Sequence, residues 1–334
     1  MPHFSLPELK AAADLVHTII PPTPQFAWPL LTKRLGCEVW VKHENHTPIG
    51  AFKVRGGLVY MAALQKHSPN VVAVTSATRG NHGQSIAFAA KRSGLRSRIY
   101  IPEGNSVEKN AAMAALGAEL VVHGRDFDEA KDACAAAAAS EALHFVPSFH
   151  PELVKGVATY ALEFFDAAPT LDRVYAPIGM GSGICGLIRT RDLLGLKTEI
   201  IGVVSDGAPA VALSCKTNEI IRTATAKTFA DGLACRDPHP LAIDLIRTGV
   251  ARIIQVSDSE VAAAIRAYFA DTHNLAEGAG AAALAAAQKE KQTLQGLQIG
   301  VILSGGNIDR DVFKQVLSGQ TPSAGDQTRI RNRN

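Results

Sequence analysis

The sequence predicts an α/β protein with a largely parallel sheet covered by helices on both faces. Short, continuous apolar runs rich in β-branched residues recur along the chain, as strands buried on both faces require. Between them lie stretches with apolar residues at helical spacing, so strand and helix alternate. Several strand-like runs also end in glycine-rich or polar turns, the places where open α/β sheets bind ligands.

In chain order, residues 37–42 read as a strand and 44–50 as a loop. A helix over 52–65, with Leu58, Met61 and Leu64 on one face, puts Lys53 near its start. A β-branched run follows at 71–75, then a loop at 76–83 and an alanine-rich helix at 84–91. The pattern repeats as strand 98–101, helix 106–116, strand 119–123 and helix 126–139. After a short strand at 144–146, Pro147 and Pro151 punctuate the chain and mark a domain boundary, and a helix follows over 153–165. Further apolar strands are expected at 174–176, 200–204 and 300–303. The polar segment 319–334, with Arg329, Arg331 and Arg333, has almost nothing to bury and is expected to be disordered.

The 334 residues are 47% hydrophobic and 19% charged, sufficient for one or two buried cores and too apolar for bulk disorder. With 34 basic and 31 acidic side chains the formal charge is +3, so no electrostatic case for a nucleic-acid partner arises. Apolar runs stay well short of the roughly 20 residues of a bilayer span. The opening segment carries Glu8, Asp14 and prolines instead of the flanks of a signal peptide, so no membrane association is expected. Cys37, Cys134, Cys185, Cys215 and Cys235 are widely separated without metal-ligand spacing, which points to a reducing cytoplasm.

The densest local signal is Gly179-Met180-Gly181-Ser182-Gly183, directly after the strand at 174–176. A loop so free of side chains can turn several N–H groups onto one phosphate, aided by the positive end of the next helix. Gly186, and not Lys with Ser or Thr, follows it, so it is neither a Walker loop nor a dinucleotide fingerprint. Alone, a tight turn is the simpler reading. Ser304-Gly305-Gly306-Asn307 repeats the form after the strand at 300–303, and two such loops point to a phosphorylated cofactor. Two more polar islands stand among the apolar strands: residues 50–57, which contain Phe52 and Lys53, and residues 76–84, reading Ser-Ala-Thr-Arg-Gly-Asn-His-Gly-Gln.

In this order the four stretches resemble the cofactor-contacting segments of the fold type II pyridoxal phosphate enzymes, in particular the serine/threonine dehydratase and serine racemase branch. The similarity runs from about Leu15 to Leu317 and takes in Lys42-His43-Glu44, residues 229–233 and residues 277–280. The resemblance implies a tryptophan-synthase-β-like α/β fold of two open, mostly parallel twisted sheets, with the cofactor cleft between lobes. A large cofactor-binding domain would comprise 1–57 and 153–318, with a small domain, 58–152, inserted in it. It further implies pyridoxal 5'-phosphate as cofactor, a small amino acid as substrate and a homodimer.

Residue by residue, the match makes Lys53 the Schiff-base lysine, with Phe52 against the ring. An amine that must attack and later act as base works unprotonated, which suits a partly buried lysine. Asn81 corresponds to the amide at the phenolic oxygen. Gly179, Met180, Gly181 and Ser182 correspond to the phosphate cup, Ser304 to the residue facing the pyridine nitrogen, and Gly232 and Glu277 to positions near the ring. Catalytic roles are implied for Lys53 and, beside the phosphate, for Ser182. Ser76, Thr78, Arg79, Gly80 and His82 are expected around the substrate, with His82 hydrogen-bonding or packing in preference to acting as an acid. The implied reaction removes the α-proton of a β-hydroxy amino acid, eliminates water and yields a 2-oxo acid and ammonia. An amino-acid racemase or a β-replacement synthase of the same fold is the alternative.

Departures from the family pattern shape the substrate expectation. Arg79 stands where racemases of this branch carry a serine acid/base, and a guanidinium rarely gives up its proton. It could instead grip a polar group or second carboxylate, implying a substrate more polar than serine or threonine, such as 3-hydroxyaspartate or a hydroxylated diamino acid. The plainer reading is an ion pair within the protein. Ser205-Asp206 replaces the glutamate of relatives that bind a divalent cation, so no metal is expected. Ala51 in place of a common serine, and Val157-Ala158 in place of a common Gln-Gly pair, argue against a plain threonine dehydratase. The short stretch after Leu317 is expected to hold no regulatory module.

Overall fold

The computed structural model describes residues 4–324. α1 (Leu6–His17), β1 (Gln25–Ala27), α2 (Pro29–Leu35) and β2 (Glu38–His43) lead into α3 (Lys53–His67). Strands and helices then alternate through β3 (Ala73–Ala77), α4 (Asn81–Arg92), β4 (Arg96–Ile101), α5 (Val107–Ala115), β5 (Glu119–Val122), α6 (Phe127–Ser140) and β6 (His144–Phe145). α7 (Pro151–Ala167) carries the chain to β7 (Arg173–Pro177), α8 (Ser182–Leu193), β8 (Glu199–Ser205) and α9 (Ala210–Thr217). The remainder is α10 (Pro240–Gly249), β9 (Arg252–Val256), α11 (Asp258–Thr272), α12 (Gly278–Lys289), β10 (Gln298–Leu303) and α13 (Arg310–Leu317).

The strands form two sheets. The larger has the order β1-β2-β10-β7-β8-β9 and is parallel except for β1, which pairs antiparallel with β2 at the edge. The smaller, β5-β4-β3-β6, is parallel throughout. Parallel neighbours carry their C-terminal ends side by side, so the loops leaving β2, β10 and β7 share one rim of the larger sheet. Those loops hold Lys53, Ser304 and the Gly179 turn.

All four strands of the smaller sheet lie between β2 and β7 in sequence. The expected boundary between residues 57 and 58 falls inside α3, which runs unbroken and packs against both α4 and α7. The expectation of a disordered tail falls mainly on residues 325–334, outside the described residues.

α3 and α7 cross closely where Gly56 and Gly156 meet. A Cβ on Gly156 would lie 2.4 Å from the Arg55 carbonyl oxygen, and one on Gly56 would lie 2.8 Å from that of Leu153. This approach brings the buried Arg55 guanidinium between two carboxylates. Its Nε and Nη2 donate to Glu44 at 2.7 and 3.0 Å, and its Nη1 and Nη2 donate to Glu163 at 2.5 and 2.8 Å. The buried Lys42 ammonium adds a third donor to Glu163 at 2.7 Å. Burial works to raise the Glu163 pKa, but Arg55 and Lys42 outweigh it and bring it down to about 2. The cluster sits two residues beyond Lys53 and fixes the first turn of α3.

α12 is buried along almost its whole length, as its Gly-Ala-rich sequence allows, and lies against β10 and β7. A Cβ on Gly280 would come within 2.2 Å of the Gly305 carbonyl oxygen, so only a bare backbone lets the helix start this close to the sheet rim. Glu277, its N-cap residue, is delivered to that rim.

Two elements differ from the sequence expectation. β3 extends to Ala77, which places Ser76 inside a buried strand. α4 starts at Asn81, three residues before the expected helix, because the Thr78 hydroxyl accepts from the N–H groups of Gly80 and Gly83 at 2.9 and 3.1 Å and closes the turn early.

Candidate active site

The loop before α3 is stitched to the loop after β10. Phe52 N donates to the Ser304 carbonyl at 3.0 Å, Gly306 N donates to Gly50 at 2.9 Å, and Ala51 forms a β-bridge with Gly305. Lys53 is thereby held at the helix start, its Nζ 4.7 Å from the centroid of the Phe52 ring. Burial lowers its pKa to about 8, against a smaller upward pull from Glu277. About a tenth of the amine is therefore unprotonated at pH 7.

Lys53 opens onto a cavity of about 660 Å³ lined also by Thr78, Arg79, Asn81, His82 and Lys109 and, opposite, by Gly179, Met180 and Gly232. The Gly179–Gly183 turn leads into α8. Gly181 adopts φ +96°, a conformation glycine takes without strain, and a Cβ on Gly179 would lie 2.1 Å from the Gly232 carbonyl oxygen. Among the described residues the N–H groups of Met180, Gly181, Ser182 and Gly183 have no backbone partner, and the Ser182 hydroxyl has no partner. Unpartnered N–H groups at the positive end of a three-turn helix are the kind of donors that can hold one phosphate. Ser304 follows β10, buried, with its hydroxyl likewise free of protein partners.

Across the cavity, Asn81 and His82 occupy the first turn of α4, where their backbone N–H groups also lack partners. The Asn81 amide nitrogen donates to Glu277 Oε1 at 2.5 Å, and its oxygen accepts from Asn307 Nδ2 at 2.8 Å. His82 Nε2 is buried without a partner. Burial, with Lys53 nearby, lowers the His82 pKa to about 3, so the ring is neutral at physiological pH and supplies no acid.

Two expected substrate residues have other duties. Ser76 lies away from the cavity wall and donates its hydroxyl to the Val146 carbonyl at 2.8 Å. Thr78 reaches the wall, but its hydroxyl is already engaged in capping Gly80 and Gly83. Gly80 lies beneath the Lys109 side chain, where a Cβ would come within 2.4 Å of the Lys109 Cδ.

Arg79 is half-buried on the cavity wall and makes no ion pair or hydrogen bond among the described residues. The other arginines and lysines on this wall, Lys53 apart, are matched: Lys109 to Glu277 and Asp231, Lys131 to Asp128, Arg222 to Asp237, and Arg236 to Asp126 and Asp128. The plainer sequence reading of Arg79, an intraprotein ion pair, is therefore not what the structure holds.

Sequence reasoning missed Lys109, Asp231 and Asn307 as members of the site. Asp231 and Asn307 stand inside motifs that were singled out, whereas Lys109 carries no local signal.

The donor set fits a ring-bearing aldehyde phosphate. The turn at 179–183 can hold the phosphate, Asn81 and Lys53 line the cavity, and Ser304 is tied by its carbonyl to Phe52, the residue before Lys53. Among the described residues no helix is long and apolar enough to cross a membrane, and all five cysteines are free thiols.

Comparison with known proteins agrees with this fit. An L-threonine ammonia-lyase of Geobacter sulfurreducens is 34% identical over 302 residues, covering 90% of this chain and 75% of that protein. An L-threo-3-hydroxyaspartate ammonia-lyase of Saccharomyces cerevisiae is 29% identical over 312 residues, covering 92% and 95%. The solved structure of the processed form of threonine deaminase isoform 2 from Solanum lycopersicum superposes with a TM-score of 0.86 at 27% identity, covering 95% of each chain. The family model described as pyridoxal-phosphate dependent enzyme matches residues 16–305, a span that contains Lys53, the Asn81 turn, the Gly179 cup and Ser304. The chain belongs to the pyridoxal-phosphate dependent enzymes, in the fold type II branch of threonine and serine dehydratases and racemases.

Proposed function

We propose that this enzyme is an ammonia-lyase for β-hydroxy amino acids whose side chain carries a second anionic group, of the 3-hydroxyaspartate type. The carrying observation is Arg79, a half-buried guanidinium without a partner among the described residues, in the same cavity as the Lys53 amine. A fixed guanidinium can bind a side-chain carboxylate through two parallel N–H···O bonds, and the side chains of threonine and serine have no such group.

When bound, pyridoxal phosphate supplies an electron sink for the charge left at the substrate α-carbon. The N–H groups of Met180 to Gly183 hold its phosphate, and Asn81 and Ser304 hold the ring edges. The free N–H groups of Asn81 and His82, at the positive end of α4, bind the substrate α-carboxylate. Arg79 binds the side-chain carboxylate and so fixes the rotation about the Cα–Cβ bond. Lys53 Nζ, whose free-base form burial favours, takes the α-proton. The resulting ammonium can pass that proton to the departing β-hydroxyl, which leaves as water. His82, neutral above about pH 3, orients without transferring a proton.

Racemisation needs a second acid/base on the face opposite Lys53. Arg79 occupies the position where the resemblance puts that group, and arginine keeps its proton, which favours elimination.

The test is a substrate panel on purified protein loaded with pyridoxal phosphate. Both threo and erythro 3-hydroxyaspartate are compared with threonine and serine, scored by ammonia and 2-oxo acid. Higher kcat/KM on a dicarboxylic substrate is expected. Preference for threonine, or formation of the opposite enantiomer without ammonia, would overturn the reading.

A further inference from the structure

Lys109 is unlike the other cations of the cavity. It is buried, it comes from α5 beside the smaller sheet, and its ammonium reaches residues at the rim of the larger one: Glu277 Oε2 at 3.3 Å and Asp231 Oδ2 at 3.5 Å. The other oxygen of Glu277 receives the Asn81 amide at 2.5 Å, so a single carboxylate ties Lys109 to the residue expected at the cofactor ring. The same junction continues through Ser106, the N-cap of α5, whose hydroxyl donates to Asp309 at 2.5 Å. A void of about 10 Å³, room for about one water, lies among Ser106, Lys109, Asp231, Glu277 and Asp309. Gly80 is shaped to this arrangement, because any side chain there would collide with the Lys109 stem.

The electrostatic setting gives the junction a catalytic consequence. Glu277 is the carboxylate whose charge acts on Lys53, and the charge of Lys53 in turn acts on His82. Burial opposes the charge on Lys109, but Glu277, Asp231 and Asp309 outweigh it and keep its pKa above the ordinary lysine value. Lys109 therefore stays cationic while Lys53 releases its proton, although both amines are buried near the same carboxylate.

We propose that Lys109 is a positioning residue for the reaction: its ammonium fixes the Glu277 carboxylate against Asn81 and offsets the negative charge that Glu277 presents to Lys53. Without that offset, Glu277 attracts a proton to Lys53 and turns away from the amide. The inference rests on the reading of Lys53 as the reactive amine.

The experiment follows the pH dependence of Lys53 modification in the full-length, cofactor-free chain, using an amine-reactive reagent with the labelled peptide quantified. Absorbance titration with pyridoxal phosphate supplies a second readout. Wild type is expected to show a midpoint near 8. Lys109→Met is expected to raise it by about one unit, a tenfold loss of free amine at pH 7, and to weaken cofactor binding. Lys109→Arg, which keeps the charge, is expected to stay near wild type. Lys109→Met combined with Glu277→Gln is expected to return the midpoint to the wild-type value, because the uncompensated carboxylate is gone. Lys109→Gln is read in the same way if the methionine variant does not fold.

An unchanged midpoint in Lys109→Met, or a double variant that stays shifted with it, overturns the proposal. Failure of the underlying reading looks different: wild-type Lys53 then shows no early labelling, and borohydride reduction of the loaded enzyme tags another lysine.

Discussion

Replacing Arg79 by alanine isolates the substrate interaction, since this side chain has no partner to disturb among the described residues. A hydrogen bond to a charged group contributes about 1.5–3 kcal/mol, so a bidentate guanidinium–carboxylate contact has an upper bound near 6 kcal/mol. Arg79 is only half-buried and the cavity opens to solvent, and screening reduces that figure to roughly 3 kcal/mol. At about 1.4 kcal/mol per tenfold, kcat/KM for 3-hydroxyaspartate should fall about 100-fold. Threonine has no second carboxylate and should change by less than about threefold. Arg79→Lys keeps the charge but loses the planar fork and should fall between, at about tenfold. Initial rates of ammonia release, measured for both substrates with each variant, give the comparison. An equal loss on the two substrates would refute the reasoning, because Arg79 would then act on the common α-carboxylate or on the loop itself.

Gly179→Ala should weaken pyridoxal phosphate binding at least tenfold by absorbance titration, because its Cβ must displace the Gly232 backbone from a 2.1 Å contact. Glu163→Gln should destabilise the fold by about 3–5 kcal/mol in urea, since it leaves the buried Arg55 and Lys42 charges short of a partner. The Glu163 pKa is depressed in the folded state to about 2, so its stabilisation is complete above the unfolded value near 4.5 and is lost as pH falls between them. Urea midpoints in wild type should fall steeply across that interval, and the Glu163→Gln variant should lose most of this dependence.

The parts of the site that could be read in the sequence are those whose chemistry needs an absence of side chains. Gly179, Gly181 and Gly305 announce close backbone approach, and Lys53 stands out beside an aromatic neighbour between two polar loops. Continuous apolar strands likewise identify a parallel sheet without any knowledge of strand order. Lys109 was not legible in this way, because its partners Asp231 and Glu277 lie far along the chain and meet it only where the two sheets come together. On its own it reads as one more lysine on a helix. The start of α4 was misplaced for a related reason. Gly80 is the N-cap residue and has no side chain, so the cap is supplied by Thr78, two residues earlier, which no ordinary capping pattern reveals. Ser76 stands beside substrate-loop residues in the sequence, whereas strand alternation turns its hydroxyl towards Val146.

The cleft offers several donors that have no partner among the described residues. Met180 to Gly183 offer four N–H groups, Asn81 and His82 offer two, and Arg79 offers a guanidinium, while the carboxylates Glu277 and Asp231 are already matched by Lys109. Donors in a partly enclosed cleft bind an anion more strongly than the same groups fully exposed to water. Three such groups separated around one lysine amine correspond to three anionic groups held together: the cofactor phosphate, the α-carboxylate and a further acid on the substrate side chain. A substrate with one carboxylate satisfies two of them and leaves the Arg79 guanidinium partly desolvated, so discrimination arises from the unmet contact as much as from the met one. Burial of Lys53 in the same cleft lowers the pKa of its amine to about 8, so the enclosure that would hold a dianionic substrate also favours the free base.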